Sequence, residues 1–338
     1  MREDLEQPPS EPDIRRSRTA GFVRWLDAPA VMICGAALVG YLGRLWWPLE
    51  FAAHFRLQYL VALVLLALAN SLAKRRGFAR FLWLVCLLNT SSILTASWPA
   101  GPVAAAGDPR LSVGVLNVLT SNDEHRLVID LIRAENPDLF VAIEMDQGWL
   151  DSLDALTDSY PHHWGDPRDD NFGLAIYSKL PFDELRPLDI GACGRPSALV
   201  RVIVEGSPVT ILATHPLAPV GRHAVQVRGR QLAGIPDELR GVEGATMVLG
   251  DLNCTPWSHH FTDLLEATGL RDSTIGFGVQ PTWPAIPALM PMAIPIDHAL
   301  VSDQIAVLDR RVGPAIGSDH WPLFLDLALV EEQSSIEP

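Results

Sequence analysis

Two patterns of apolar residues divide the chain. From Ala28 to Trp98 apolar positions are nearly continuous, in the runs Ala28–Trp47, Leu57–Leu72 and Phe78–Trp98. A helix of about 20 such residues reaches about 30 Å, the thickness of a bilayer's hydrocarbon core. No amphipathic helix stands nearby to cover such segments in water, so residues 28–98 predict a membrane module with about three transmembrane helices. A cleaved signal peptide fits poorly, because the first run is long, lacks a small-residue cleavage site and is followed by two more.

Over 111–330 the pattern changes. Short β-like runs ("LSVGVLNVL", "DLFVAIE", "FGLAIYS", "ALVRVIV", "TILATH", "TMVLGDLN", "IDHALVS", "PLFLDLAL") alternate with helical stretches around His125–Ala134, Arg222–Glu238 and Phe261–Leu270. This predicts a mixed α/β domain over 111–330. Residues 99–110 read as a Pro/Gly/Ala linker, and 1–27 and 331–338 as disordered tails.

Charge separates the same two parts. Residues 1–99 carry 11 basic and 7 acidic side chains, whereas 100–338 carry 15 basic and 33 acidic, a net −18. Arg15, Arg16, Arg18 and Arg24 precede the first apolar run, Lys74, Arg75, Arg76 and Arg80 fill the second loop, and the first loop has only Arg56. The positive-inside bias makes the amino terminus and second loop cytoplasmic. After three crossings the acidic domain is extracytoplasmic, or periplasmic in a Gram-negative cell. A domain this acidic, without Lys/Arg clusters, is poorly suited to tracking long nucleic acid; Arg222, Arg228 and Arg230 read as a solvated helix face. Cys34 and Cys86 read as small buried hydrophobes. Cys193 and Cys254, in no metal-binding spacing, read as free thiols, with a disulfide open if the domain is exported.

Several apolar runs end in a polar residue able to bind a metal or a phosphate: Asn117, Glu144, His215, Asp251 with Asn253, Asp297, and Asp319 with His320. Each alone has an ordinary structural explanation, such as an Asx turn after Gly250 or a helix cap at Asp319. Together, at strand ends along one edge of a sheet, they would line a pocket.

At these residues the sequence resembles the endonuclease/exonuclease/phosphatase superfamily. The likeness runs over about 111–328, from Asn117 through the Glu closing "PDLFVAIE", "NFGLAIYSKLP", "TH", "GDLNCTPWS" and "IDHALVS" to "SDHWP"; "GDLNCTPWS" and "SDHWP" are its specific parts. It implies a deoxyribonuclease-I-like fold, a four-layer α/β sandwich of two mixed β-sheets flanked by helices; the first ninety-eight residues lie outside it, and their apolar runs make this a membrane-anchored, bacterial-type member.

Hydrolysis of a phosphate ester needs charge neutralised on oxygen, a water aimed in line and help for the leaving group. Glu144 is the first choice as Mg2+ ligand, with Mn2+ as a substitute, and Asn117 stands ready to hold the metal's water or a phosphate oxygen. Asp251 would deprotonate the attacking water, and Asn253, two residues on along an extended segment, would donate to the phosphoryl oxygen. The resemblance implies that His320 contacts phosphate with its ring held by Asp297, that His215 binds phosphate or assists the leaving group, and that Asp319 adds a metal or water contact. Arg195 is a weaker candidate for substrate phosphate, set against a surface arginine. His162 and His163 read as solvated loop histidines. The expected substrate is a lipid headgroup or small phosphorylated molecule met at a bilayer, with a DNA or RNA nuclease as the alternative. A non-catalytic binding domain would be marked by loss of Glu144, Asp251, Asn253 or His320, and all four are present.

Overall fold

A computed structural model describes residues 25–94 and 101–330. The predicted tail 331–338, most of the tail 1–27 with Arg15, Arg16, Arg18 and Arg24, and residues 95–100 lie outside the described residues. The chain divides into two compact units, 1–94 and 95–338.

The first unit is helical: α1 Asp27–Val39, α2 Trp47–Phe51, α3 Arg56–Leu72 and α4 Arg76–Leu94. Among the described residues two stretches, not three, are long and apolar enough to cross a membrane: Trp47–Leu72, continuous through a 3-10 turn, and Arg76–Leu94. The first apolar helix continues from Val39 through a 3-10 turn and ends at Leu42, where the chain folds back on itself. A Cβ on Gly40 would stand 2.9 Å from the Ala53 nitrogen, and one on Gly43 3.1 Å from Glu50 Cα, so both positions depend on the missing side chain. Pro48 in the first turn of α2 then starts a new helix. Arg56, expected in a loop, is buried at the start of α3, where its backbone carbonyl accepts from Asn89 Nδ2 at 2.8 Å. Inside the bundle Ala30, Cys34, Ala37, Leu63, Ala67 and Leu82 pack together. Met32, Leu65, Leu72 and Leu87 face outward and are exposed.

The second unit holds two six-stranded sheets. The strands are β1 Arg110–Asn117, β2 Leu139–Ile143, β3 His162–Asp166, β4 Leu174–Ser178, β5 Phe182–Leu188, β6 Ser197–Val204, β7 Ser207–Thr214, β8 Ala245–Asp251, β9 Arg271–Asp272, β10 Asp297–Val301, β11 Ile305–Val312 and β12 Leu323–Leu329. Their orders are β11-β12-β1-β2-β4-β3 and β5-β6-β7-β8-β10-β9. Each sheet is mixed: β1 runs parallel to β2 and β7 to β8, and the other pairs are antiparallel. Helices α5 His125–Glu135 and α6 Gln147–Leu153 cover the outer face of the first sheet, where Ile132 and Trp149 meet Phe140 and Tyr177. Helices α7 Arg222–Glu238 and α8 His259–Thr268 cover the second, where Ile235 and Phe261 meet Leu212 and Val248. The result is the four-layer sandwich expected.

Strand alternation explains where the polar strand ends go. Val113 and Val115 of β1, Ile211 and Ala213 of β7, Met247 and Leu249 of β8, and Ala299 and Val301 of β10 all enter the core between the sheets. Side chains two apart share a face. Asn117, His215, Asp251 and Asp297 occupy the next inward position of these four rows, so the inter-sheet core ends in a polar cap.

Candidate active site

The second sheet brings its polar ends together by register. Asp297, first in β10, is the direct partner of Asp251, last in β8. Gly250 makes the approach of β7 to β8 feasible: its φ is +153°, and a Cβ would lie 1.9 Å from the Thr214 carbonyl oxygen.

One atom, Asp251 Oδ2, is the centre of the site. It lies 3.5 Å from Asn117 Nδ2 and from Asn253 Nδ2, 3.7 Å from His320 Nε2 and 3.8 Å from His215 Nδ1. Around it, Asn117 Nδ2 donates to Glu144 Oε1 at 2.8 Å, and the His215 Nε2 atom stands 3.5 Å from the same oxygen. Asp297 Oδ2 pairs with His320 Nδ1 at 2.8 Å, and the Asp297 amide donates to Thr282 Oγ1 at 3.2 Å. Asp251, Asp297, Asn117, His215 and His320 are all buried.

Burial makes these charges interact strongly. It pushes the Asp251 carboxyl up to about 7, the negative charge of Asp297 adding to the rise against the pull of His320 and His215. Burial opposes a charged His320 ring, but Asp297 and then Asp251 outweigh it and push the ring up to about 10. Asp297 is held below the usual carboxylate range, because His320 overcomes the opposite effect of burial. At Glu144 burial likewise raises the carboxyl, yet His215 and Asn117 leave it below its ordinary value. His215, depressed by burial, is carried above its ordinary value by Glu144 and Asp251.

Asp251 and Asn253 meet by a different route from strand alternation. Asn253 is left-handed, with φ +49°, and its amide donates to Asp251 Oδ1 at 2.8 Å, the Asx turn that was the plain alternative for this motif. The turn carries Asn253 Nδ2 back towards Asp251 and onto the Pro216 carbonyl at 3.0 Å. Structural turn and shared site are here the same thing.

Two expected members stand at the margin. Asp319 Oδ2 accepts from Trp283 Nε1 at 2.9 Å, and its buried Oδ1 has no hydrogen-bond partner. The Arg195 guanidinium lies 3.7 Å over the Phe172 ring and pairs with Asp170 at 2.7 Å; Phe172 in turn stacks on His215 at 5.2 Å. Arg195 thus reaches the site through an aromatic spacer. His162 and His163 are on the edge strand β3 rather than in a loop, and His163 stacks on the buried Tyr177.

Arg228 corrects the reading of α7. It is buried, not solvated, and donates to the Asn253 carbonyl at 2.6 Å. The signal lay in the sequence: Ala224, Arg228, Gln231 and Ile235 form one helical stripe, and all four are buried. Phe172, Thr282 and Trp283 were also missed, since nothing local marks them. All four cysteines are free.

Glu144, His215 and Asp251 each offer a ligand atom within 4.8 Å of the others, and so do Asp251, Asp297 and His320. Asp297 and His320 are already committed to one another. The first group, with two carboxylates, fits a hard divalent cation that seeks oxygen.

A two-sheet sandwich with carboxylates and imidazoles gathered at its strand ends defines a class, the metal-dependent hydrolases of phosphoric esters. Residues 114–320 match the Endonuclease/Exonuclease/phosphatase family, and the chain belongs to that family. Among solved structures, an endonuclease/exonuclease/phosphatase from Beutenbergia cavernae is similar at 22% identity and a TM-score of 0.52, over 66% of this chain and 72% of that one. The 3' phosphatase NExo from Neisseria, bound to a product DNA hairpin, is similar at 20% identity and TM-score 0.53, over 64% and 98%. D. rerio TDP2 complexed with a single-strand DNA product is similar at 15% identity and TM-score 0.54, over 65% and 99%. At these identities the likeness is one of fold. No curated protein matches the chain.

Proposed function

We propose that the chain is a membrane-anchored, Mg2+-dependent phosphoesterase with an extracytoplasmic catalytic domain, acting on a lipid headgroup or another small phosphate ester. The observation that carries this reading is the ring of two amides and two imidazoles around Asp251 Oδ2, with Glu144 beside it.

Mg2+ held by Glu144, with Asp251 and Asn117 close by, would neutralise charge on a phosphoryl oxygen and supply its own waters. Asp251, raised to about 7, is tuned to take a proton from the attacking water near neutral pH. His320, raised to about 10, is a cation at that pH and donates to a phosphoryl oxygen. Asp297 fixes which ring nitrogen of His320 faces the centre, by bonding the other. Asn253 Nδ2 donates to a second phosphoryl oxygen, and His215 serves the leaving oxygen. Asp319, with its unpartnered Oδ1, is a water or metal contact at the margin, and Arg195 a more distant anion contact.

The two long apolar helices support a multi-pass anchor. The sidedness of the catalytic domain does not depend on a third span, but two spans put the segment before Trp47 on the same side as that domain, against the cytoplasmic amino terminus expected from three. Lys74, Arg75 and Arg76 join α3 to α4 and favour the cytoplasm, and one more crossing through α4 carries the catalytic domain to the other side.

The test is hydrolysis by the full chain in detergent, with Mg2+ or with EDTA, of bis-p-nitrophenyl phosphate, a phospholipid panel and plasmid DNA. Mg2+-dependent turnover of phospholipid or the small ester, abolished by EDTA, is expected. Turnover of DNA alone would replace the lipid reading with the nuclease one, and turnover unaffected by EDTA would contradict both.

A further inference from the structure

The edge of the second sheet that carries the site also carries two loops without a charged side chain other than His215. Residues 215–221, between β7 and α7, contain no Asp, Glu, Lys or Arg, and neither do residues 273–296, in a part of the chain that holds 33 acidic residues. Both loops leave the same edge. β7 runs parallel to β8, so His215 emerges beside Asp251, and β10 starts at Asp297 opposite Asp251.

The longer loop is built to project. Its base is closed by the bridge between Trp283 and Ile294 and is tied to the site, where Trp283 Nε1 donates to Asp319 and the Ala285 amide donates to the Asp319 carbonyl at 2.6 Å. Beyond that base every residue from Ile286 to Met292 is exposed, in the sequence "IPALMPM". Met290 is 61% exposed, and its proline neighbours Pro287 and Pro291 limit the conformations open to the loop. On the shorter loop Val220 is 82% exposed, and its root at Pro216 is held by Asn253. Exposed Ile, Leu, Met and Val on two loops rooted beside one site mark an interaction surface.

We infer that these two loops seat the catalytic site on a zwitterionic phospholipid bilayer, and that its substrate is a phospholipid within that bilayer. This rests on the phosphoesterase reading. The chain's own apolar helices, Trp47–Leu72 and Arg76–Leu94, bring a bilayer within reach of the domain. A net charge of −18 over residues 100–338 repels anionic surfaces, so contact falls to the uncharged loops. With Leu289, Met290, Met292 and Val220 in the acyl region, the roots of the loops, at His215, Asp319 and His320, come level with the phosphate esters.

The experiment uses the full chain in phosphatidylcholine nanodiscs, with Cys193→Ser and a single fluorescent label at Met290→Cys. The control label is at Glu205→Cys, exposed in the turn between β6 and β7 at the opposite edge. Doxyl-phosphatidylcholine is expected to quench the label at 290 and to spare that at 205. The triple variant Leu289→Ser, Met290→Ser, Met292→Ser is expected to hydrolyse bilayer phosphatidylcholine at least about tenfold more slowly, while bis-p-nitrophenyl phosphate turnover holds. No quenching at 290, cross-linking of two copies through that position instead, or equal loss on both substrates overturns the inference. Quenching at 290 by an unvaried chain that hydrolyses neither substrate would uphold the seat on the bilayer and sink the phosphoesterase reading.

Discussion

Asp251 and Asp297 face each other as directly paired residues of β8 and β10, and His320 stands between their carboxylates. Two buried carboxylates so placed resist ionising together. The His320 cation settles the division: Asp297, at 2.8 Å, keeps its charge, and Asp251, at 3.7 Å, is left with the raised value a base needs.

Asp297→Asn therefore removes the group that holds the His320 ring charged and in one orientation. Turnover is expected to fall by about three to four orders of magnitude, as when the carboxylate behind a catalytic histidine becomes an amide. The alkaline limb of the pH–rate profile should move down from about 10. An unchanged limb, followed with bis-p-nitrophenyl phosphate, would show that the His320 cation is not the group whose loss sets that limb.

Asp251→Asn is expected to abolish turnover while making the metal-free protein more stable. The folded-state value of Asp251, about 7, lies above that of an unfolded aspartate, about 3.9. The stability that goes with the protonated form is present below about 3.9 and is lost as pH rises through about 7. At pH 8 in EDTA the variant should melt a few degrees above the unvaried chain, at about 2–4 °C per kcal/mol for a domain of this size. A lower melting temperature would contradict the account of the buried charge.

His320 makes the same kind of contribution at higher pH. Its ring, near 6.5 when unfolded, is raised to about 10, so its stabilisation is full below about 6.5 and disappears as pH rises through about 10. Thermal melts of His320→Gln should show a flatter decline over that window than the unvaried chain. An identical pH dependence would refute it.

Much of this site was legible because strand alternation carries straight on from core to pocket. Asn117, His215, Asp251 and Asp297 are each the next inward step of an aliphatic row. What was not legible depends on contacts between distant parts of the chain. β3, β5 and β11 are edge strands: β3 and β5 are polar, as in "FDELRPL", and the apolar start of β11, "IAVL", gives way at once to the charged "DRR". The fold-back at Gly40 and Gly43 depends on how closely Glu50 and Ala53 approach, which no hydropathy pattern contains.

Arg228 supplies a test of positioning. It has no seat among the reacting groups, yet its bond to the Asn253 carbonyl holds the turn that aims Nδ2. Arg228→Lys should keep one donor and retain more kcat than Arg228→Met. The methionine variant is expected to lose about tenfold or more in kcat, with KM changed less, and to melt lower because a buried carbonyl loses its donor. Equal kcat in the two variants would argue against a positioning role.

The most direct measurement is the rate of bis-p-nitrophenyl phosphate hydrolysis against Mg2+ concentration, for the full chain and for Glu144→Gln. The unvaried chain should be inactive in EDTA and saturate with Mg2+. Glu144→Gln should require at least about tenfold more Mg2+ for half its maximal rate, the scale of effect seen when metal-site groups are altered. Superimposable Mg2+ curves, or full activity in EDTA, would contradict a metal-assisted phosphoesterase centred on Glu144 and Asp251.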